Sequence, residues 1–353
     1  MPTPNAAHSR VLNAVVIGAG RMGRHHARIY RQLPTANLLA VVDPDLAAAQ
    51  GLAEEFNCRA LADIDQLLAL AEPLHAASIA TPTVTHRAIA ETLAPHGVHL
   101  LIEKPLAPNL ADAEAIVELA RRNNCVLQVG HSERFNPVVL ALRQYPLAPQ
   151  FIEVTRISPM TFRSIDIGVV LDMMIHDIDI VHHLVRSPVK SVAAVGVNVI
   201  GKHEDVANVR LGFANGCVAN LTASRLALKT ERRMRLFSPD CYVSADYQKK
   251  AGVVIRRTAN EAELEMVRTK MAANETADLS QIDYTKLVNY EELAVEDREP
   301  LRMELESFLN SILTGAEPEV TGSDGCSAVD IAMRITESIA EHQWQINQHR
   351  AKQ

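Results

Sequence analysis

The sequence predicts an α/β protein with two domains. A doubly wound parallel sheet is expected in residues 1–130, and an antiparallel or mixed sheet with helices in residues 131–353. Three observations support this prediction. The chain has 353 residues, which is more than one ordinary core holds. Up to about residue 130, β-branched runs alternate with helical patterns, as in parallel sheets that are covered on both faces. Beyond Gly130, strand patterns follow one another through short turns such as Ala214-Asn215-Gly216.

The first domain is predicted from short buried strands and the helical patterns between them. The expected strands are Val11–Ile17, Leu38–Val42, Ala76–Ala80, His99–Ile102 and Val126–Val129. The expected helices are roughly Met22–Leu33, Asp45–Phe56, Ile64–Ala71, Thr85–Pro95 and Leu110–Asn124.

The second domain is predicted from a longer series of strands and three helices. The expected strands are Phe151–Ser158, Val189–Val199, Ala207–Phe213, Cys217–Ser224, Arg232–Ser238, Tyr242–Asp246 and Val253–Arg257. The expected helices are about Leu171–Val185, Leu301–Leu313 and Gly325–Asn347. The charged, weakly periodic segment Asn260–Thr285 is expected to be a loop with some helix, either a lid or an insertion.

Composition excludes several functional classes. Apolar residues make up 48% and charged residues 22%, which is typical of a soluble globular protein. The net charge is -7 and no long basic run occurs, which argues against nucleic acid as the main partner. The five cysteines are scattered without a C-x-x-C pair, which favours free thiols in a cytoplasmic protein. No signal peptide and no membrane-spanning segment are expected.

A glycine-rich turn follows the first predicted strand. Its sequence is Gly18-Ala19-Gly20-Arg21-Met22-Gly23, and a helical pattern begins inside it. The first glycine permits a tight turn, the second lets a pyrophosphate approach the backbone, and the third lets the helix pack against the strand. The helix N-terminus then offers free N–H groups to the phosphates, and Arg21 could add charge at the rim.

Asp43 ends the second strand about 20 residues after the last glycine, where a carboxylate binds ribose hydroxyls in such sites. Asp45 adds a second negative charge, and the two would repel a 2′-phosphate, so NAD is favoured over NADP. By itself the turn also allows FAD, S-adenosylmethionine or an ordinary strand–turn–helix with an exposed Asp.

Glu103-Lys104-Pro105 comes directly after the predicted strand His99–Ile102. Ligands bind at the carboxyl ends of parallel strands, so Lys104 could polarise a hydroxyl or hold a carbonyl oxygen. A surface ion pair of Glu103 and Lys104 is the equal alternative.

A second cluster places Asp172 and His176 four residues apart, on one face of a predicted helix. A carboxylate beside an imidazole can act as an acid/base unit, in which the His accepts a hydroxyl proton and the Asp orients it. The same spacing could hold a metal, but no third ligand has a convincing spacing. A helix with a polar stripe is the remaining alternative.

Two polar segments are candidate substrate loops. Gly130–Pro137 lies at the predicted domain junction, where Arg134 and Asn136 could bind a polar ligand or cap the following turn. Met160–Asp166 lies just before the Asp172 helix, and its Arg163 could bind a diphosphate or be solvated.

These motifs, in this order, resemble the Gfo/Idh/MocA family of sugar and polyol oxidoreductases. The resemblance covers nearly the whole chain and is carried by the Gly18–Gly23 turn, Ala80-Thr81-Pro82 with His86, Glu103-Lys104-Pro105, and Asp172 with His176. It implies an N-terminal Rossmann domain and a C-terminal α/β domain with a large open, mainly antiparallel sheet. That sheet usually serves substrate binding and oligomer contacts, so a homo-oligomer, either dimer or tetramer, is expected.

The resemblance also implies residue roles. Lys104 matches the catalytic lysine, and Asp172 with His176 matches a second catalytic motif in which His176 accepts the proton. Glu103 and the group Thr81, Pro82 and His86 fall near the cofactor. The family's glycine-rich lead-in to the second motif is reduced here to Ile167-Gly168-Val169-Val170-Leu171, which leaves the start of the helix open.

A narrower similarity concerns residues 166–179, which look like the branch of the family that oxidises UDP-N-acetylglucosamine at C3. In that branch an aminotransferase takes the 3-keto product towards the diamino sugar of some lipid A molecules. The alternatives are a dehydrogenase of a free sugar or inositol and, in another class, a non-catalytic NAD-bound sensor or scaffold.

Overall fold

The structure is a computed structural model that describes residues 11–161, 167–272 and 287–351. The chain folds into two compact units. The first contains the described residues up to Phe135 together with Arg298–Arg334. The second contains Asn136–Asp297 and the residues from Ile335 onward.

The first unit contains a six-stranded parallel sheet in the order β3-β2-β1-β4-β5-β6. Its strands are β1 (Leu12–Ile17), β2 (Ala36–Val42), β3 (Arg59–Leu61), β4 (Ala76–Ile79), β5 (His99–Glu103) and β6 (Leu127–Gly130). This strand order is that of a doubly wound dinucleotide-binding fold, so the predicted fold class of the first domain is confirmed. The central strands are apolar and buried along almost their whole length, because helices cover both faces of the sheet.

Five helices connect these strands: α1 (Arg21–Gln32), α2 (Leu46–Phe56), α3 (Ile64–Leu68), α4 (His86–Leu93) and α5 (Leu110–Arg122). Short 3₁₀ turns lie at Thr83–Thr85, Ala94–His96 and Ser132–Phe135. Asp45, Asp63 and Asn109 accept hydrogen bonds from first-turn N–H groups, and so begin α2, α3 and α5.

The sequence predicted that all residues after 130 belong to the second domain. The structure instead places Arg298–Arg334 in the first unit. Helix α9 (Pro300–Thr314) places Leu305, Phe308 and Leu309 in one core cluster with residues of β1 and α1. The Val129 N–H also donates to the carbonyl of Val320. These contacts join residues far apart in the chain, and Arg298–Arg334 belong to the first unit.

The second unit contains an eight-stranded sheet in the order β14-β13-β12-β11-β7-β10-β9-β8. Its strands are β7 (Phe151–Ile157), β8 (Val189–Val197), β9 (Val206–Phe213), β10 (Val218–Ser224), β11 (Glu231–Phe237), β12 (Cys241–Asp246), β13 (Ala251–Arg257) and β14 (Val288–Glu292). All neighbouring pairs are antiparallel except β7 with β10. The expected large, mainly antiparallel sheet is therefore confirmed.

The remaining helices are α6 (Pro137–Leu142), α7 (Ile175–Val185), α8 (Glu261–Ala272) and α10 (Gly322–Ala351). A π turn, Val170–Met174, leads directly into α7. Sequence patterns did not predict β3, β14 or α6, each of which has seven or fewer residues. In the segment Asn260–Thr285, helix α8 is described, and the rest of the predicted lid or insertion lies outside the described residues.

Helix α7 is held against β7 by a buried ion pair. Arg156 of β7 donates from Nε (2.7 Å) and Nη2 (2.8 Å) to the two carboxylate oxygens of Asp177. The two side chains are 4% and 3% exposed. Two parallel charge-assisted hydrogen bonds fix both the distance and the rotation of the helix that carries His176.

We expect Asp177→Ala to destabilise the second unit by about 3–5 kcal/mol, because it leaves the buried Arg156 guanidinium without its carboxylate. Urea denaturation followed by circular dichroism measures this change. Glu153→Ala is the matched control, because Glu153 lies on the same strand and pairs with Arg235 on the exposed side. Equal urea midpoints for the two variants would contradict the prediction.

Candidate functional site

The register of the parallel sheet brings the predicted cofactor residues to one edge. Ile17 of β1 pairs with Val42 of β2 and with Ile79 of β4, and Ile79 pairs with Ile102 of β5. The next residues along the chain therefore lie side by side at this edge: Gly18, Asp43, Ala80 and Glu103, the last residue of β5. Ligands bind at this carboxyl edge in doubly wound sheets.

The glycine turn has the backbone that its sequence predicts. Gly18 has φ +102°, and a Cβ there would lie 2.4 Å from the carbonyl oxygen of Ala80. A Cβ on Gly23 would lie 1.7 Å from the carbonyl oxygen of Gly18. Around Gly20, by contrast, no heavy atom lies within 4 Å of the Cβ position. The first and third glycines are required by packing, and the second leaves open space beside the N-terminus of α1.

Asp43 holds the turn in place. Its Oδ2 accepts the N–H of Ala19 (2.7 Å), and its Oδ1 accepts the N–H of Asp45 (2.8 Å). Since a carboxylate has about four acceptor positions, these two bonds leave capacity for ribose hydroxyls. Asp45 has a structural task as well, because its side chain caps α2.

His86 joins two of the loops at the carboxyl edge. It is buried, with Nε2 3.0 Å from the carbonyl oxygen of Thr81 and Nδ1 3.1 Å from that of Leu106. Burial lowers the pKa of His86, although both carbonyls oppose this effect. The imidazole therefore links the Thr81-Pro82 loop to the loop that follows Lys104.

Lys104 is half-buried and follows the last residue of β5, and its peptide bond to Pro105 is cis. The preceding Glu103 is buried, and its Oε1 lies 3.0 Å from Nε2 of His26 on α1. Sequence reasoning missed His26. The available signal was a polar residue on the buried face of an otherwise ordinary helix.

Asp172 and His176 lie on consecutive turns of one helical run, and both are half-buried. The sequence predicted a single α-helix, but Asp172 lies in the π turn and His176 in the first turn of α7. Single π turns inside helices occur frequently at functional sites.

The start of this run is held by two residues that sequence reasoning missed. The carbonyl oxygen of Glu204 accepts the N–H of Val169 (3.0 Å), and its Oε1 accepts the N–H of Val170 (3.2 Å). Arg225 donates to the carbonyl oxygens of Ile167 (2.6 Å) and Glu204 (3.2 Å). The short lead-in is thus fixed by Glu204 of the β8–β9 loop and by Arg225 after β10, rather than by further glycines.

The three residues predicted to bind substrate, Arg134, Asn136 and Arg163, have different surroundings. Asn136 caps α6 by accepting the N–H of Val138 (3.1 Å), which is the capping alternative that the sequence left open. Arg134 is 1% exposed, and its Nη2 lies 3.8 Å from Oδ1 of Asp324. Substrate contact by these two residues stays a prediction, and Arg163 lies outside the described residues.

The described residues also bear on two other functional classes, metalloproteins and membrane proteins. Among the described residues, no group of three or more His, Cys, Asp or Glu side chains is arranged to hold a metal ion. Within the same residues, every helix is too short or too polar to cross a membrane.

Comparison with known proteins decides the family. Residues 12–131 match the NAD-binding Rossmann fold of the Gfo/Idh/MocA oxidoreductases, and residues 155–239 match the C-terminal domain of that family. The chain belongs to the Gfo/Idh/MocA oxidoreductase family. It is an enzyme whose cofactor is NAD.

Individual relatives cover almost the whole chain. UDP-N-acetylglucosamine 3-dehydrogenase of Acidithiobacillus ferrooxidans is 35% identical over 91% of this chain and 95% of its own length. Inositol 2-dehydrogenase of Rhizobium meliloti is 28% identical over 92% of this chain and 96% of its own. A solved structure of the Acidithiobacillus ferrooxidans UDP-N-acetylglucosamine 3-dehydrogenase superposes with a TM-score of 0.82, at 33% identity, over 93% of this chain and 97% of that one.

The residues at the carboxyl edge fit NAD. The open space at Gly20 and the N-terminus of α1 would hold the pyrophosphate, with the exposed Arg21 beside them. Asp43 would accept hydrogen bonds from the adenosine ribose. When bound, NAD supplies the acceptor for a hydride.

We expect Gly20→Ala to fold normally and to bind NADH at least about tenfold more weakly, because the new methyl group occupies the space through which a pyrophosphate approaches the backbone. Fluorescence titration with NADH measures the affinity, and thermal unfolding measures the stability. Gly51→Ala is the matched control: Gly51 lies within α2, and its Cβ position is equally open. Wild-type affinity in Gly20→Ala would show that the cofactor binds elsewhere.

Proposed function

We propose that this enzyme oxidises the C3 hydroxyl of UDP-N-acetylglucosamine, with NAD as the oxidant. The observation that carries the proposal is the match, over 91% of this chain, to a relative with that activity, at 35% identity against 28% for the inositol dehydrogenase. The motif residues Lys104, Asp172 and His176 are all present in the sequence.

His176 is proposed to accept the proton of the sugar hydroxyl while the hydride leaves the same carbon. An imidazole suits this role because its ordinary pKa lies near neutrality. Asp172, on the preceding turn, orients the imidazole and stabilises its positive charge. A base must hold its position relative to the hydroxyl. The pair of Arg156 with Asp177 and the bonds from the lead-in to Glu204 fix the helical run that carries His176, and so support its role as the base.

Lys104 is proposed to donate a hydrogen bond to the same oxygen and to stabilise it as it becomes a carbonyl. Its place at the carboxyl end of β5 supports this role. Contacts on both sides of the lysine support this role: His86 contacts the carbonyl oxygen of Leu106, and His26 contacts the side chain of Glu103.

A dehydrogenase of a free sugar or inositol is the second candidate, because inositol 2-dehydrogenases are also relatives over most of the chain. The substrates of the two candidates differ in that only the nucleotide sugar carries a diphosphate. A nucleotide-sugar enzyme needs cations that bind it, and Arg163 is the proposed residue.

A substrate comparison tests the choice. With NAD in excess, we expect kcat/KM for UDP-N-acetylglucosamine to exceed that for free N-acetylglucosamine and for myo-inositol by at least about 100-fold, since charge-assisted hydrogen bonds to the diphosphate contribute about 1.5–3 kcal/mol each. NADH absorbance follows turnover, and reaction of the product with hydroxylamine followed by mass spectrometry locates the ketone. Turnover of the free sugars alone would support the second candidate.

For the reaction itself, we expect Lys104→Ala and His176→Ala each to lower kcat on the order of 100- to 10,000-fold with NADH binding retained. Lys190→Ala and His183→Ala are matched controls, since Lys190 is exposed on β8 and His183 lies further along α7. Near-normal turnover in both catalytic variants would remove these residues from the mechanism.

The biological setting follows from the proposed product. A 3-keto nucleotide sugar is the natural substrate of an aminotransferase, so the proposed partner is an aminotransferase on a route to lipid A in the cytoplasm. Assembly into a dimer or tetramer through the sheet of the second unit is part of the same proposal.

A further inference from the structure

The π turn sets the angle between Asp172 and His176. In this turn the N–H of Ile175 donates to the carbonyl oxygen of Val170, five residues earlier, whereas an α-helix would use the residue four earlier. A π turn therefore takes up one residue more than an α turn, and one residue corresponds to about 100° of rotation about the helix axis. Relaxation to a regular α-helix would rotate the start of the run, and Asp172 with it, by up to about 100° relative to His176.

Both ends of this run are anchored to other elements. After the π turn, Asp177 is paired with Arg156 of β7. Before it, the N–H of Val169 donates to the carbonyl oxygen of Glu204 (3.0 Å), and the N–H of Val170 donates to Oε1 of the same residue (3.2 Å). The π form is rare and the α form is the ordinary one. The two anchors account for the π turn, because a run that is fixed at both ends cannot rotate to lose its extra residue.

The carboxylate of Glu204 fills the space that a side chain at position 168 would need. A Cβ on Gly168 would lie 1.9 Å from Oε1 of Glu204, 2.2 Å from its Cδ and 2.3 Å from its Oε2. These are the nearest heavy atoms, and the φ of Gly168 lies outside the left-handed region. The glycine is thus required by the neighbouring carboxylate and not by its own backbone conformation.

A buried ion pair holds Glu204 in place. Arg225 donates from Nη2 to the carbonyl oxygens of Glu204 (3.2 Å) and Ile167 (2.6 Å), and its Nε lies 3.4 Å from Oδ1 of Asp205. The side chains of Arg225 and Asp205 are both buried. The other carboxylate oxygen of Asp205 accepts the backbone N–H groups of residues 199–201. These contacts fix the end of the β8–β9 loop, which carries the carboxylate of Glu204.

We propose that Glu204 is a positioning residue of the reaction. Its carboxylate anchors the lead-in, and this anchor keeps the run in the π form, with Asp172 at the angle to His176 that proton transfer requires. Glu204 acts through Asp172 and not on the substrate. This inference rests on the proposed roles of Asp172 and His176, and it gives a task in the reaction to a residue that lies in none of the sequence motifs.

The form of the helix can be determined without substrate. In a crystal structure of Glu204→Ala, we expect the Ile175 N–H to donate to the carbonyl oxygen of Leu171, as in an α-helix, and Asp172 to be rotated. In solution, the Val170 N–H should exchange its hydrogen about fivefold faster than in wild type, as expected for the loss of one hydrogen bond. If the π turn and the position of Asp172 are unchanged in Glu204→Ala, the inference is overturned.

Two further variants show whether the carboxylate itself is responsible. Gly168→Ala displaces the carboxylate without removing it, so it should produce the same change of helix form even if Glu204→Ala does not fold. Glu204→Gln keeps the Oε1 acceptor for the Val170 N–H and should retain the π turn. Loss of the π turn in Glu204→Gln, or its retention in Gly168→Ala, would contradict the proposed anchor.

Turnover provides the second readout, using whichever sugar the wild-type enzyme oxidises. Glu204→Ala and Gly168→Ala should each lower kcat by about 10- to 100-fold, since a displacement of about 1 Å can cost about 100-fold in rate. The KM for NAD should change by less than about twofold. Because both changes act through one carboxylate, the double variant should be as active as Glu204→Ala alone, within about twofold. Two unrelated structural defects would instead multiply their effects, and that result would overturn the inference.

Conservative and matched variants complete the test. Glu204→Gln should keep kcat within about twofold of wild type, and so should His203→Ala, which changes the exposed neighbour in the same loop. If wild type oxidises no sugar, the proposed function fails, while the helix form in Glu204→Ala still decides this inference. If wild type turns over but the π turn persists in Glu204→Ala, only this inference fails.

Discussion

Four parallel strands of the first unit end at the same level, and the cofactor site depends on this register. Ile17, Val42, Ile79 and Ile102 are paired across the sheet, so the chain segments that follow them start side by side. A shift by one residue in any of these strands would exchange the face of every side chain in it. Both faces of β1, β4 and β5 are buried, so a shift would move each side chain into a packing space that another side chain fills.

Buried polar contacts then fix the loops that the register has aligned. Asp43 accepts the Ala19 N–H of the glycine turn, His86 bridges the carbonyls of Thr81 and Leu106, and His26 contacts Glu103. Each contact joins separate loops, or a helix to a loop or strand. A polar group with little access to solvent is costly unless its partner is in place, so these contacts favour one arrangement of the loops over others.

Local patterns predicted most of the fold, and contacts between distant residues explain what they missed. The glycine spacing and the strand Leu12–Ile17 are neighbours in sequence, so the cofactor turn could be recognised. His26 and Glu103 are 77 residues apart, and no local pattern links them. Helix α9 was predicted, but its place in the first unit depends on core contacts with β1 and α1, which its own sequence does not specify. The three-residue β3 is too short for its periodicity to be read.

The second unit holds its candidate base in a comparable way, from both ends of one short helical segment. Glu204 and Arg225 fix the backbone before the π turn, and the Arg156–Asp177 pair fixes the residue directly after His176. A proton acceptor must stay within hydrogen-bond reach of one hydroxyl, and displacement of about 1 Å can cost about 100-fold in rate. Asp177 pairs with Arg156, and Asp172, one turn before the histidine, is the carboxylate that the proposed mechanism assigns to His176. In that proposal the two acidic residues have separate tasks: Asp177 holds the helix, and Asp172 stabilises the charge that develops on the imidazole.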